Sequence, residues 1–119
     1  MNEHTVIFGN AHCEGLPRRG WFIGHFMETD DLRTTEALEV KWGVHKAGDR
    51  RSQWSTDQQT ITLSILIKGR FRLQFPDREH VLANEGDYVL WDAGVAHTWV
   101  AENDSTVLTV RYPSTSANS

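Results

Sequence analysis

The sequence predicts an all-β protein made of one domain with short antiparallel strands. Strand-like segments recur about every ten residues from Thr60 onward, which is the spacing of antiparallel sandwiches and barrels. No long helical pattern is present to cover a parallel sheet, so a doubly wound α/β fold is excluded. A chain of 119 residues is long enough for one domain with a single core.

The second half of the chain carries the clearest strands. Residues 60–67 are rich in β-branched side chains, and a turn at Gly69 follows them. Residues 71–75 alternate strictly between apolar and polar side chains, so alternate residues share one face. Further strands are predicted over 79–83, 87–91, 97–101 and 106–112, and in the first half over 20–27 and 38–45.

Charge and composition exclude several classes of partner. The net charge is −4, so no basic excess is available to neutralise phosphates, and a nucleic acid is not an expected partner. No apolar run approaches the ~20 residues of a membrane span, and a membrane is not expected either. The single cysteine, Cys13, and the lack of a visible export signal favour the cytoplasm.

The segment from Gly86 to His97 resembles the second signature of the cupin family. Gly86, Gly94 and His97 fall in register with that signature, and residues 62–71 resemble the strand, glycine turn and strand that close the first one. The resemblance covers residues 40–112. It implies a single-domain antiparallel jelly-roll β-barrel, the cupin double-stranded β-helix, and a homodimer.

Two boundaries complete the predicted domain organisation. The cupin-like barrel is expected over residues 1–113, where it includes an irregular N-terminal arm. Residues 114–119 are small and polar, and they are expected to form a flexible C-terminal tail.

The resemblance also implies where a cupin metal site would lie. Two histidines and a glutamate of the first signature would join His97. The glutamate position falls on Thr62, and no histidine occurs near residues 55–58. A protein without a conventional cupin metal is therefore expected, since such sites usually present three protein ligands. A rebuilt set of His45, Asp57 and His97, holding a divalent transition metal, is the open alternative.

Five residues are candidate ligand-binding residues. His97 begins a strand after a glycine corner, where it can face the mouth of a barrel. Arg51 lies in a loop, and its guanidinium group can clamp a carboxylate or a phosphate. Trp54 and Trp99 can stack on a ring, although tryptophans more often fill a core. His45 lies at the end of its strand, where its side chain can face either the barrel mouth or the solvent.

The strand predicted over residues 38–45 raises the question of which face is buried. Glu39, Lys41 and His45 share one face, and three apolar residues share the other. The apolar face is predicted to fill the core, which leaves Glu39 and Lys41 in solvent.

Three functions remain open on this evidence. The first is binding of a small polar or aromatic ligand in the barrel mouth without a cupin metal. The second is a metal-dependent enzyme of dioxygenase or isomerase type, using the rebuilt His/Asp set. The third is an assembly module that acts mainly as a homodimer. No catalytic residue and no substrate follow from the sequence.

Overall fold

The structure is a computed structural model that describes residues 5–115, and these contain eight strands and two short helices. A helix, α1, covers Ala11–Gly15, and a 3₁₀ turn covers Leu16–Arg18. The strands are β1 (Trp21–Ile23), β2 (Glu39–His45), β3 (Ile61–Lys68), β4 (Phe71–Phe75), β5 (Arg78–Leu82), β6 (Tyr88–Trp91), β7 (Thr98–Ala101) and β8 (Ser105–Tyr112). No helix of the described residues is long and apolar enough to cross a membrane.

The strands form two antiparallel sheets. The larger has the order β1-β2-β8-β3-β6, and the smaller has the order β5-β4-β7. The prediction of an all-β antiparallel jelly-roll domain is confirmed. Within residues 5–115 the two sheets keep separate hydrogen-bonding networks, so they form an open jelly-roll sandwich rather than a closed barrel.

The core lies between the two sheets. The apolar face of β4 contributes Phe71 and Leu73, which are 3% and 2% exposed, as its alternating pattern predicts. Leu66 and Val107 face them from the larger sheet, and Leu82, Trp91 and Ala101 complete the buried cluster.

The predicted orientation of β2 is wrong. Glu39 is fully buried, and Lys41 and His45 line an internal cavity, whereas Val44 is 54% exposed. The physical reason is that the interior beside β2 is charged rather than apolar. Arg111 on the adjacent strand β8 donates from Nε to Oε1 of Glu39 at 2.6 Å, and this pairing offsets the desolvation of both groups.

The outer face of the larger sheet is apolar as a consequence. Two rows of paired residues cross it: Trp42, Leu108, Ile65 and Tyr88 in one row, and Val40, Val110, Leu63 and Leu90 in the other. Tyr88 is 62% exposed and Leu90 is 54% exposed. We call these eight residues the outer apolar face.

Ser114, the first residue of the predicted tail, packs against the domain. Ser114 is fully buried, and its backbone N–H donates to the carbonyl of Glu36 at 2.9 Å. Its hydroxyl donates to Oε2 of Glu39 at 2.7 Å and accepts the backbone N–H of His25 at 2.9 Å. These bonds anchor the segment after β8 against β2. Residues 116–119 of the predicted tail, and residues 1–4 of the predicted arm, lie outside the described residues.

Candidate functional site

A cavity of about 480 Å³ opens between the two sheets. Its wall on the smaller sheet is apolar and includes Phe71, Leu73 and Trp99. Its wall on the larger sheet is polar and includes Lys41, Ser64 and Arg111. The cavity has the size and the mixed lining that small-molecule sites usually have.

Strand register determines where the polar wall begins. On β3 and β8 the inward residues pair as Leu66 with Val107, then Ser64 with Thr109, then Thr62 with Arg111. The inward residues of β2 continue these three rows as Gly43, Lys41 and Glu39. The inner face of the larger sheet therefore changes from apolar to hydroxyl-bearing to charged, in steps of two residues.

Four cationic side chains line the cavity: Arg19, Lys41, Arg51 and Arg111. Asp57 is the one carboxylate among the lining residues that the structure describes. Because the whole chain carries a net charge of −4, this positive excess is a local property of the cavity and not of the composition.

Arg111 is the one member of this set that forms ion pairs within the described residues. Besides its bond to Glu39, it donates from Nη1 to Oδ2 of Asp57 at 3.3 Å. Its guanidinium carbon lies 4.3 Å from the ring centroid of Trp21, which adds a cation–π contact. The carboxylates of Glu39 and Asp57 are thus both held by Arg111, and Arg19, Lys41 and Arg51 have no ion-pair partner in the described part of the chain.

Lys41 is the most enclosed of the unpaired cations. Its Nζ lies 5.7 Å from the ring centroid of Trp21. Burial lowers the pKa of Lys41 to about 8, and the positive charges of Arg51, Arg111 and Arg19 act in the same direction. The ammonium group is therefore held where its charge is poorly stabilised.

His45 lies against the aromatic part of the cavity. Its ring centroid is 4.4 Å from that of Trp99 and 5.3 Å from that of Phe71. Burial lowers the pKa of His45 to about 4, and the charge of Lys41 contributes, so the imidazole is neutral at pH 7. Gly43 makes room for this ring, because a Cβ at position 43 would lie 2.9 Å from Nε2 of His45.

His97 also lines the cavity and is 7% exposed. Its backbone pairs with Ser55, and its ring lies 4.7 Å from the ring of Trp91. Nδ1 lies 3.1 Å from the carbonyl oxygen of Val95, which can only accept, so Nδ1 carries the hydrogen. Burial is the main cause that lowers the pKa of His97. Nε2 of the neutral ring is therefore a hydrogen-bond acceptor.

The hydroxyl of Thr62 has no hydrogen-bond partner among residues 5–115. Thr62 is 2% exposed and lines the cavity in the row that contains Arg111. A buried hydroxyl without a partner costs roughly 1–3 kcal/mol of stability, which a ligand atom at this position would offset. This position is also the one at which the cupin resemblance places a metal-binding glutamate.

Four of the five predicted ligand-binding residues line this cavity together: His97, His45, Arg51 and Trp99. Trp54 does not join them, because it is 55% exposed and lies outside the lining. The sequence reasoning missed Lys41, Arg111 and Trp21. The shared parity of Lys41 and His45 on β2 was a usable signal for the first of these.

The donor groups of the cavity do not fit a metal centre of the usual kind. No group of three His, Cys, Asp or Glu side chains converges anywhere in residues 5–115. Within the predicted alternative set, Asp57 is bonded to Arg111, and His45 and His97 contact different aromatic rings. His45, Asp57 and His97 therefore line one cavity without forming a ligand set.

Two antiparallel jelly-roll sheets around an internal cavity define the class of this protein as a cupin fold. Comparison with solved structures confirms this class. KdgF from Halomonas sp. superimposes with a TM-score of 0.61 at 20% identity, over 68% of this chain and 74% of that one. A cupin superfamily protein from Desulfitobacterium hafniense DCB-2 gives a TM-score of 0.57 at 17% identity, over 64% and 67% of the two chains.

An enzyme structure belongs to the same group of similar folds. A variant of salicylate 1,2-dioxygenase from Pseudoaminobacter salicylatoxidans gives a TM-score of 0.58 at 14% identity. The match covers 66% of this chain but 22% of the dioxygenase chain. No protein-family model matches the sequence, and no curated protein is significantly similar to it. At these identities the similarity establishes the fold.

Proposed function

We propose that the protein binds a small organic anion with a planar or aromatic body in the cavity between its sheets. The observation that carries this proposal is the set of three cations, Arg19, Lys41 and Arg51, which line the cavity without an ion-pair partner among residues 5–115. Charged groups interact more strongly inside a partly enclosed cavity than in water, so a carboxylate there offsets their mutual repulsion.

The apolar wall supports a planar body for this ligand. Trp99 and Phe71 stack at 5.2 Å between ring centroids, and Trp21 and Trp91 line other parts of the cavity. Aromatic rings offer a large rigid contact surface at a small cost in conformational entropy. The hydroxyl of Thr62 and Nε2 of His97 add polar contacts that can fix the orientation of the ligand.

Matched probes test the proposal directly. Salicylate, the substrate that the name of one structurally similar enzyme gives, represents the class, and salicyl alcohol is its uncharged counterpart. We expect salicylate, but not the alcohol, to raise the melting temperature and to bind in calorimetry. Arg51→Gln is expected to weaken binding by about tenfold or more, because a charge-assisted hydrogen bond is lost.

Arg50→Gln is the matched control for this variant. Arg50 is the chain neighbour of Arg51 but does not line the cavity, so its replacement should leave the affinity unchanged. Equal binding of the acid and the alcohol, or equal effects of the two arginine variants, would contradict an anion site.

Binding is proposed to need no metal. Support comes from the donor groups, since Asp57 is already held by Arg111 and no third acidic or imidazole group converges on the two histidines in the described part of the chain. We expect protein treated with a chelator and then dialysed to bind salicylate with unchanged affinity. Loss of binding that Fe²⁺ or Zn²⁺ restores would favour the alternative, a metal-dependent cupin enzyme of dioxygenase or isomerase type.

We also propose that the protein is a homodimer that buries the outer apolar face. Contiguous exposed apolar surface of this kind is uncommon on monomeric proteins and typical of interfaces. Leu90→Glu should shift the sedimenting species toward the monomer, and Gln74→Glu, on the smaller sheet, should not. A monomeric native protein at micromolar concentration would refute this assignment.

The cytoplasm is the proposed location. Cys13 is free and exposed, and an unpaired accessible thiol is typical of proteins in a reducing compartment. Fractionation of cells that express the tagged protein tests this, and recovery of the protein outside the cytoplasm would contradict it.

A further inference from the structure

We propose that Lys41 forms an imine with the carbonyl carbon of the bound anion, so that the ligand class is a 2-oxo acid. This inference rests on the proposed function, because the surrounding guanidinium groups are what hold the carboxylate. It adds a covalent step and names the amine that performs it.

The position of Lys41 in the sheet suits this role. It lies at the third of the seven residues of β2, and its row continues through Thr109 to Ser64, whose hydroxyls lie 3.3 Å apart. This row separates the apolar row of Leu66 from the charged row of Arg111. An amine at this point shares the cavity with Arg19 and Arg51, whose charges act on it, so it lies near a carboxylate that these two residues would hold.

The partners of Lys41 leave its amine available. No carboxylate in residues 5–115 forms an ion pair with Lys41. Its Nζ lies over the face of the Trp21 ring. A lysine held in an ion pair would have to break that pair before its nitrogen could react. The unpaired Arg51 and Arg19 line the same cavity and can bind the carboxylate, which leaves the carbonyl for Lys41.

The protonation state of the amine supports the step. An amine attacks a carbonyl only as the neutral base, and desolvation together with nearby cations is a known way to obtain that form near neutral pH. The pKa of Lys41 is lowered to about 8, so a substantial fraction of its amine is neutral at pH 7.5. The other two lysines of the chain, Lys46 and Lys68, are exposed.

The chemistry balances without a further reactant. The nitrogen lone pair of Lys41 attacks the carbonyl carbon, a C–N bond forms, and the oxygen takes up a proton to give a carbinolamine. The C–O bond then breaks, and the oxygen leaves as water with the two hydrogens that the amine nitrogen has lost. The neutral imidazoles of His45 and His97 line the same cavity and can accept and return the proton that moves.

Reductive trapping tests the inference. The whole protein is incubated at pH 7.5 with phenylpyruvate and sodium cyanoborohydride, which supplies the hydride that converts an imine into a stable secondary amine. Intact-mass analysis and peptide mapping then locate the adduct. We expect one reduced adduct per chain on Lys41, and a trapping rate that rises with pH to a plateau, with its midpoint near the pKa of about 8.

Lysine variants, a ligand without a carbonyl group and a folding check serve as controls for the trapping experiment. Lys41→Arg should form no adduct, whereas Lys46→Arg and Lys68→Arg should be trapped like the native protein and should bind 3-phenylpropanoate with unchanged affinity. 3-Phenylpropanoate, which has the carboxylate and the ring but no carbonyl, should bind and should slow trapping by competition. A circular dichroism spectrum and a melting curve establish that Lys41→Arg is folded.

The failures of the two proposals are distinguishable. If both acids bind and no adduct forms, or if adducts spread equally over the three lysines, the imine is refuted and the anion site stands. If neither acid binds, the proposed function itself fails, and the imine fails with it.

Discussion

The interior of this protein has two halves that are built by the same strands and differ in chemistry. In the apolar half, Leu66 and Val107 pack against Phe71 and Leu73. Four residues earlier on β3 and four residues later on β8, the inward positions are Thr62 and Arg111, and a cavity replaces the packed core. One pair of strands can therefore contribute to both a core and a binding site, because the side chain at each inward position can be apolar or polar independently of the next.

The two halves contribute to stability with opposite signs. Burial of apolar side chains stabilises the fold by roughly 1.5–3 kcal/mol for each large residue. The charged half contains the enclosed ammonium group of Lys41 and the hydroxyl of Thr62, neither of which has a polar partner among residues 5–115, and both lower the stability of the fold. Binding sites commonly contain groups that lower the stability of the free protein and that a bound ligand then stabilises.

The largest expected effect comes from the apolar half. Leu73→Ala should lower the free energy of unfolding by about 2–5 kcal/mol, because Leu73, although it also borders the cavity, is 2% exposed and packs in the buried cluster. Denaturant titration measures the change. Leu32→Ala is the control, since Leu32 is 51% exposed, and it should change stability by less than about 0.5 kcal/mol. If Leu73→Ala lowered the free energy of unfolding by no more than Leu32→Ala does, the apolar half would be loosely packed.

Lys41→Met should act in the opposite direction. It removes a poorly solvated charge, so the free energy of unfolding at pH 7 should rise by up to about 3 kcal/mol, the equivalent of the lowered pKa. The folded protein binds fewer protons than the unfolded chain between pH 8 and 10.5, so the native protein gains stability as pH rises through that window. The variant should lack this gain.

Denaturant titration at pH 7 and at pH 10 checks the effect of Lys41→Met, with Lys46→Met as the exposed control. A destabilised variant at pH 7, or a pH dependence equal to that of the native protein, would contradict the separation of the two halves.

The smallest effect is expected at His45, whose ring contacts those of Phe71 and Trp99. Its pKa of about 4 lies below the ordinary value of 6.5, so the unfolded chain binds more protons in this window. Stability conferred by the neutral ring is present above pH 6.5 and is lost as pH falls toward 4, by about 2 kcal/mol once the full shift, worth about 3 kcal/mol, is reduced for the partial exposure of the ring. His45→Phe keeps the aromatic contacts and should reduce this acid loss.

Thermal unfolding between pH 4 and 7 measures the slope of stability against pH. This slope can be compared between proteins even if the variant differs in stability at pH 7. His80→Asn changes an exposed histidine on β5 and should leave the slope as it is in the native protein. An unchanged slope in His45→Phe would mean that other groups control the acid response.

The fold followed from the sequence because its signals are local. Alternation over residues 71–75 and the turn at Gly69 need only near neighbours, and Gly69 has φ +104° with no space for a Cβ beside Asp104. Of the four predicted residues that line the cavity, His45 ends β2, Arg51 lies in a loop, His97 directly precedes β7, and Trp99 lies at the start of β7. Their positions follow from the same turns.

The charged wall did not follow, because alternation tells which residues share a face but not which face is inside. The usual rule, apolar side inward, fails on β2 since Glu39 finds Arg111 seventy-two residues later in the chain. The same long separation concealed Arg111 itself. Trp54 and Trp21 could not be ranked either, because nothing in their neighbours shows which one the chain turns toward the cavity.

The bond between Ser114 and Glu39 has a practical consequence for handling this protein. Ser114 fixes the carboxylate that in turn holds the guanidinium group of Arg111. A shortened version that stops at Pro113 would keep every strand but would lose the hydrogen bond that positions Glu39 and, through it, Arg111 in the cavity wall. Expression designs should therefore retain Ser114 and attach affinity tags beyond it, since the last described residues are part of the architecture of the pocket.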